Sequence, residues 1–215
     1  MNTNNDVLRE RLIYGAELAG NYEFPQLPSV HAHITAEKAV PFNACRSEKN
    51  PKKSIAHFYI EDAAFERVWN QPEKYLDILR NFQYVITPDF STYSGMPKTL
   101  QLYNTYRNRA LAYWFDLNNI NIIPNVGWGG VETFDYCFDG LPKNSTLAVS
   151  TNGCFSKRGQ EIFKQGFYEM VRRLSPDKIV IVGRPIDLKT DIPIIYFESH
   201  GQQMTSRLRG DNNGK

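Results

Sequence analysis

The sequence lacks the features that mark exported or membrane proteins. No stretch approaches the roughly 20 consecutive apolar residues of a membrane-spanning helix, and the first residues show no apolar run flanked by basic ones. The only cysteines, Cys45, Cys137 and Cys154, are far apart and lack C-x-x-C spacing, which indicates small apolar side chains in a reducing compartment. The sequence therefore predicts a soluble cytoplasmic protein with no membrane partner.

An excess of charge of one sign is also missing. The 25 lysines and arginines nearly balance the 23 aspartates and glutamates, and the formal net charge is +2, which argues against a strongly basic nucleic-acid surface. The basic loop at residues 46–53 contains no aromatic residue, so it supports nucleic acid as a partner only weakly.

Motifs for cofactors and metals are scarce. There is no G-x-G-x-x-G or G-K-[ST] pattern, so the sequence identifies no nucleotide-phosphate motif and leaves any cofactor unknown. His31, His33 and His57 lie in candidate strands, but no third ligand lies at metal-binding spacing. No metal site is predicted.

What the sequence does contain is a regular series of short apolar runs. With 215 residues, 41% of them hydrophobic, the chain suits one domain. Six runs are continuous rather than alternating, which is typical of strands buried on both faces; they are residues 55–60, 84–87, 120–123, 146–150, 179–182 and 194–197. Most spacings between them leave room for a helix, which predicts a parallel sheet with right-handed connections.

Helical patterns fill these spacings. Pro97 and an apolar stripe predict a helix at 97–117, and a second stripe predicts a helix that ends at Ser175-Pro176. Two short helices are expected to meet at Gln71-Pro72, and a shorter helical turn is expected at 133–138. Runs at 30–35 and 40–44 would add two strands. The fold class is α/β with a mostly parallel sheet, and because the chain is shorter than the ~250 residues of an eightfold barrel, an incomplete or shrunken TIM-like barrel is favoured over an open sheet. We expect one domain at 1–200 and a flexible polar tail at 201–215.

Polar residues follow the predicted strands, at the edge where parallel α/β proteins bind ligands. Asp89 can act as a base or as a metal ligand, or it can serve a turn by accepting backbone N–H groups. A glycine-rich loop carries Asn125 and Trp128, whose indole can stack on a base or a sugar. Further candidates at strand ends are Tyr93, Thr151, Arg184, Glu198 and His200.

The helix at 97–117 carries an arginine on its apolar stripe. A buried guanidinium is costly without a partner, so Arg107 is expected to meet a carboxylate, backbone carbonyls or a bound anion. We predict that it pairs with Asp89 at the strand ends, or with an anion when a ligand is present. Asn104 lies one helical turn earlier and is a candidate ligand-binding residue.

Several segments together resemble a known family. They are HFYIED at 57–62, TPDFS at 87–91, Asn104, Tyr106 and Arg107, IPN at 123–125, Trp128, FDG at 138–140 and AVST at 148–151. Over residues 55–184 this combination resembles the bacterial and phage family known as a domain of unknown function, numbered forty-four seventeen. The resemblance implies a protein of bacteria, phages or other mobile elements and brings no established activity, cofactor or catalytic residue.

Two functions follow as hypotheses. In the first, a strand-end pocket holds an anionic, nucleotide-sized ligand, and the protein is a candidate hydrolase of a nucleotide or sugar-phosphate-like substrate. Its catalytic residues would be Asp89, Arg107 and Asn125, and its ligand-binding residues would be Tyr93, Asn104, Trp128, Thr151 and Arg184. In the second, a non-catalytic interaction protein of a phage or mobile element binds a host or replication protein. Convergence of the three catalytic candidates in one pocket would favour the first.

Overall fold

Nine strands and four helices follow one another along the chain in the computed structural model, which describes residues 6–199 and 201–203. The strands are β1 (Leu18–Ala19), β2 (Phe24–Pro25), β3 (Lys38–Pro41), β4 (Ser54–His57), β5 (Tyr84–Ile86), β6 (Ile122–Ile123), β7 (Thr146–Ser150), β8 (Lys178–Val182) and β9 (Ile194–Phe197). The helices are α1 (Asp62–Asn70), α2 (Leu76–Leu79), α3 (Lys98–Leu117) and α4 (Lys157–Leu174). Short 3₁₀ helices lie between them, and β1 and β2 form a small antiparallel pair.

The remaining seven strands are parallel. Four form a ladder in the order β3-β4-β5-β6, and three form a second ladder in the order β7-β8-β9. A parallel bridge between Asn125 and Ala148 connects the two ladders, because the Val126 N–H donates to the Ala148 carbonyl (2.8 Å) and the Ala148 N–H donates to the Pro124 carbonyl (2.9 Å). The predicted α/β class with a parallel sheet is confirmed.

Apolar side chains cover both faces of these strands, which explains why the runs in the sequence are continuous. One buried cluster draws a side chain from each of the seven strands, namely Ala39, Ile55, Ile86, Ile123, Ala148, Val180 and Phe197. Two further clusters pack the strands against the helices, one around α1 and α3 and the other around α4. Within the described ranges no ladder joins β9 to β3, so the TIM-like barrel stays a prediction.

The helix signals were accurate. Pro97 immediately precedes α3, and α4 begins after Ser156, whose hydroxyl oxygen accepts the Gly159 N–H (3.0 Å) as an N-cap. Helix α4 ends at Ser175, which adopts a left-handed conformation (φ 46°) before Pro176. The pair of short helices around Gln71-Pro72 is also present as α1 and α2, with a 3₁₀ turn between them.

The strand predicted at 30–35 is wrong. This segment is extended but pairs with side chains at the amino ends of other strands: the Ala32 N–H donates to the Thr146 hydroxyl (3.0 Å) and the His33 N–H donates to the Tyr84 hydroxyl (3.1 Å). Lys178 also donates to the Ala32 carbonyl (2.5 Å). The segment makes one backbone hydrogen bond to the sheet, from the Thr146 N–H to the Val30 carbonyl (2.6 Å), and otherwise crosses the strand ends instead of joining a ladder. The run at 40–44 is strand only as far as Pro41 and continues as a 3₁₀ helix, Phe42–Ser47.

Two other predicted segments are the helical turn at 133–138 and the tail at 201–215. The turn predicted at 133–138 is a 3₁₀ helix, Val131–Thr133, followed by turns. Of the tail predicted at 201–215, residues 204–215 lie outside the described part of the chain, while the Gln203 side chain donates to the Ala39 carbonyl (2.9 Å). None of the helices in the described ranges combines the length and apolarity needed to cross a bilayer.

Candidate functional site

A cleft of about 560 Å³ opens at the carboxyl ends of β4, β5, β6 and β7. This volume lies within the range of small-molecule sites. The segments that follow the four strands, together with the first turns of α4, supply its wall, which consists of Tyr59, Ile60, Glu61, Asp89, Ser91, Thr92, Tyr93, Ser94, Asn125, Val126, Gly127, Trp128, Gly129, Ser150, Asn152, Gly153, Cys154, Gly159, Ile162 and Phe163. The sequence-predicted residues Asp89, Tyr93, Asn125 and Trp128 are therefore brought together.

A chain of hydrogen bonds links three strand ends in this cleft. The Tyr59 hydroxyl donates to Asn125 Oδ1 (2.9 Å), and Asn125 Nδ2 donates to Asp89 Oδ1 (2.8 Å). The Asn125 backbone N–H is held by the Thr87 hydroxyl (2.9 Å). Burial, with the negative charge of Asp89, raises the pKa of Tyr59 well above its ordinary value, so the phenol keeps its proton and fixes the orientation of the Asn125 amide.

Asp89 is the electrostatically perturbed member of this chain. Burial raises the pKa of its carboxyl to about 6, and the nearby Asp62 carboxylate adds to the rise. The hydrogen bond from Asn125 and the positive charge of Arg109 oppose the rise without cancelling it. A carboxyl with such a pKa changes its protonation close to neutral pH, as a general acid or base must.

The side chains of the cleft wall supply negative charge but, within the described residues, no positive charge. Its charged residues are Glu61 and Asp89, and among the described residues that form it there is no lysine, arginine or histidine. The acidic neighbour Asp62 accepts hydrogen bonds from the Ser91 N–H and hydroxyl (2.9 Å to the hydroxyl). The anionic ligand expected from the sequence therefore has no cationic side chain in the wall to bind it.

Arg107 lies elsewhere, and its predicted pairing with Asp89 is wrong. The guanidinium donates to Glu66 on α1 (2.7 Å) and to Asn104 Oδ1 (2.8 Å) and lies 3.6 Å from the centroid of the Phe90 ring. Its burial, 8% exposed, and its need for a partner are confirmed. The reason for the error is geometric: position 107 faces α1 and the segment after Asp89, behind the cleft wall.

Trp128 is in the wall, but its indole is committed to packing. Its Nε1 donates to the Ile162 carbonyl of α4 (3.2 Å), and the ring packs against Phe163 (5.6 Å between centroids). A Cβ atom at Gly166 would overlap the indole, so the glycine makes room for it. Tyr93, in contrast, is 59% exposed at the cleft.

Four other predicted residues lie outside the wall. Asn104 donates to the Ser91 carbonyl (2.7 Å) behind the cleft. Thr151 is buried and donates to the Arg184 carbonyl (2.8 Å), while the Arg184 guanidinium lies 5.1 Å from the centroid of the Phe155 ring. Glu198 accepts a hydrogen bond from Gln203 at its backbone carbonyl (2.9 Å), and His200 is outside the described residues.

Sequence reasoning missed Tyr59 and Cys154, and it gave Asn152 only as one of the residues that follow a predicted strand. Tyr59 was placed inside a strand, but β4 ends at His57, so the tyrosine belongs to the strand-end segment. Asn152 Nδ2 donates to the Tyr59 carbonyl (3.3 Å) and so connects β7 to the same network. Cys154 is partly exposed in the wall, unlike buried Cys45 and Cys137, yet burial raises the pKa of its thiol, which does not favour a reactive thiolate. In residues 6–199 and 201–203, no group of three or more metal-ligating side chains is placed to hold an ion.

Comparison with known proteins identifies the class to which this chain belongs. The family model described as "Domain of unknown function (DUF4417)" matches residues 16–198, so the chain belongs to that family, and the resemblance at 55–184 is confirmed over a longer span.

Two relatives are phage proteins. The chain is 37% identical over 183 residues to the "Gene 1 protein" of Mycobacterium phage L5, covering 83% of this chain and 78% of that protein. It is 33% identical over 182 residues to the "Gene 1 protein" of Mycobacterium phage D29, covering 83% of this chain and 66% of that protein, slightly under two thirds. No solved structure matches.

Proposed function

We propose that the strand-end cleft binds a small uncharged, hydroxyl-bearing compound of nucleoside size, with Asp89 as its central binding group and general base. The observation that carries the proposal is a carboxyl with a pKa of about 6 facing a strand-end cleft whose wall contains no cationic side chain among the described residues. The setting we infer is the cytoplasm of a bacterial cell or of a phage-infected host.

The polar groups of the wall favour a neutral ligand. Ser91, Thr92, Ser94, Ser150 and Asn152 add hydroxyl and amide groups to those of Asp89 and Asn125. Such groups can donate to and accept from sugar hydroxyls, while Tyr93 offers an exposed ring for stacking. A phosphate would instead meet the carboxylates of Glu61 and Asp89, and like charges that close repel each other.

The free oxygen of Asp89 supports its role. Oδ1 accepts from Asn125, and in the described part of the chain no group donates to Oδ2. In a hydrolysis reaction, Asp89 would accept a proton from water as the water oxygen bonds to a carbon of the substrate and the C–O bond to the leaving group breaks. It would then return that proton to the departing oxygen. Asn125 and Tyr59 would hold the carboxyl in place.

The proposal includes the shape of the sheet. We infer an incomplete barrel whose seven parallel strands leave a gap between β9 and β3. Support comes from the single buried cluster to which every one of these strands contributes, and from Gln203, whose side chain donates to carbonyls at Ala39 and Glu198 (2.9 Å each). A curved sheet of this kind brings the ends of β4 to β7 around one cleft.

Thermal-shift measurements with matched ligand pairs test the proposal. The pairs are adenosine with adenosine monophosphate and glucose with glucose 6-phosphate, each at the same concentration and pH 7.5. A ligand at 100 times its dissociation constant adds roughly 2.7 kcal/mol, which raises Tm by roughly 5–10 °C in a chain of this length. We expect an uncharged member of a pair to raise Tm more than its phosphorylated partner.

Variants assign the effect to the site. Asp89→Asn should abolish the shift, and Asp191→Asn, at an exposed position away from the cleft wall, should retain it. Hydrolysis of p-nitrophenyl glycosides, compared with p-nitrophenyl phosphate, tests the reaction with the same proteins. Larger shifts with the phosphorylated compounds, or equal shifts in wild type and Asp89→Asn, would contradict the proposal.

A non-catalytic interaction protein is the second candidate. Two exposed aromatic side chains favour it, Tyr93 (59% exposed) beside the cleft and Phe155 (62% exposed) next to wall residue Cys154. A host or phage protein bound there would lose affinity in Tyr93→Ser and Phe155→Ser and keep it in Asp89→Asn. Affinity that is lost in Asp89→Asn and kept in Tyr93→Ser and Phe155→Ser would support the small-molecule site instead.

A further inference from the structure

The segment that follows Asp89 is held by side chains instead of by a strand ladder. Asn108 of α3 makes both bonds of a backbone-like pair with Phe90: its Oδ1 accepts the Phe90 N–H (2.7 Å) and its Nδ2 donates to the Phe90 carbonyl (3.2 Å). Asn108 is buried. The chain therefore leaves β5 along a path that this amide determines.

Two further amides extend the contact along the segment. Asn104 donates to the Ser91 carbonyl (2.7 Å), and Gln101 donates to the Tyr93 carbonyl (2.8 Å). Positions 101, 104 and 108 share one face of α3 because they are three and four residues apart. Gln101 and Asn104 are also buried, so these bonds are shielded from competing water.

The orientations of the Asn104 and Gln101 amides are fixed by hydrogen bonds from the side away from the segment. Arg107 donates to Asn104 Oδ1 (2.8 Å), which leaves the Asn104 Nδ2 group to face the segment, and the Tyr136 hydroxyl does the same for Gln101 Oε1 (2.7 Å). Arg107 is itself held by Glu66 and the face of Phe90. This arrangement accounts for the burial of Gln101, Asn104, Arg107 and Asn108 on α3 without a bound anion.

We propose that Asn104 and Asn108 are positioning residues that hold the segment after β5 so that Asp89 and Tyr93 face the cleft. The effect of these two residues on ligand binding rests on the proposed function. Their effect on the position of the Asp89 carboxyl does not, because that position can be measured without a ligand. Arg107 acts one step further away by orienting Asn104.

The test follows the Asp89 carboxyl by ¹³C NMR titration in the full chain. In Asn108→Ala and Asn104→Ala the loosened segment admits water to the carboxyl, so the pKa of Asp89 should fall from about 6 by about one pH unit or more toward its ordinary 3.8. Thr105→Val is the matched control, because Thr105 is buried on the same helix and its hydroxyl donates within that helix, to the Gln101 carbonyl (2.9 Å). The control should keep the wild-type titration.

A second readout separates this role from the proposed function. Where adenosine binds wild type, both alanine variants should weaken its affinity at least tenfold while Thr105→Val does not. If adenosine binds none of the proteins, the proposed ligand class fails and the titration alone decides the positioning role. An unchanged Asp89 pKa in a folded alanine variant, an equal change in Thr105→Val, or failure of both alanine variants to fold would overturn the inference.

Discussion

Replacing Asp89 by asparagine should stabilise the protein at neutral pH while removing its proposed activity. The asparagine keeps an oxygen at the position that accepts from Asn125 Nδ2, so the hydrogen-bond chain to Tyr59 survives. What disappears is the cost of holding a negative charge in a desolvated position beside Asp62. A gain in stability with a loss of function is typical of residues at working sites.

The size of this gain follows from the pKa. In the folded protein Asp89 has a pKa of about 6, whereas an ordinary aspartate has 3.8, and a difference of about 2 pH units corresponds to about 3 kcal/mol at most. Because the folded pKa is raised, the stability that wild-type Asp89 contributes is present below about pH 4 and is lost as the pH rises through 6. The gap between Asp89→Asn and wild type should therefore be close to zero at pH 3.8 and reach its plateau by about pH 7.

Urea denaturation of both proteins at several pH values between 3.8 and 8 measures this gap. Asp191→Asn, at an exposed position, is the control and should remain within about 0.5 kcal/mol of wild type throughout. A gap that does not change with pH, or an Asp89→Asn protein that is less stable than wild type at pH 7.5, would refute the electrostatic account of the cleft.

Three other substitutions test the surroundings of the cleft by urea denaturation. Gly166→Ala should lower the free energy of unfolding by about 1–3 kcal/mol and change the near-ultraviolet circular dichroism, because the alanine Cβ would overlap the Trp128 indole. Unchanged stability would mean that the indole packs elsewhere. Arg107→Met should lower the free energy of unfolding by about 2 kcal/mol, because the contacts with Phe90 and Asn104 are lost. Glu66→Gln should lower it by less than about 1 kcal/mol, because the Glu66 side chain is 42% exposed. Equal costs for these two variants would show that the ion pair dominates.

The sheet was predictable because its signal is local. Runs such as 146–150 and 179–182 are continuous and apolar, and the structure buries them on both faces in parallel ladders. The segment at 30–35 also contains β-branched residues, but its partners include the side chains of Thr146 and Tyr84, far along the chain. Local pattern cannot distinguish a strand from an extended segment that pairs with side chains.

The candidate site was predictable to the extent that topology determines it. Asp89 and Asn125 follow neighbouring strands, and they do meet. The partner of Arg107 was not predictable, because the choice between Asp89 and Glu66 depends on how α3 is rotated against α1. The packing of the Trp128 indole was not predictable either, because it depends on the space that Gly166 leaves on α4.

The central claim is that the cleft around Asp89 is a binding site for an uncharged, hydroxyl-bearing compound. A crystallographic fragment screen of the wild-type protein tests it most directly, with a library that pairs uncharged sugar and nucleoside fragments with their phosphorylated forms. The account predicts uncharged fragments in the cleft, within hydrogen-bonding distance of Asp89 Oδ2 and with Tyr93 beside them. Phosphorylated fragments in the cleft, or a cleft that stays empty while fragments bind elsewhere, would contradict it.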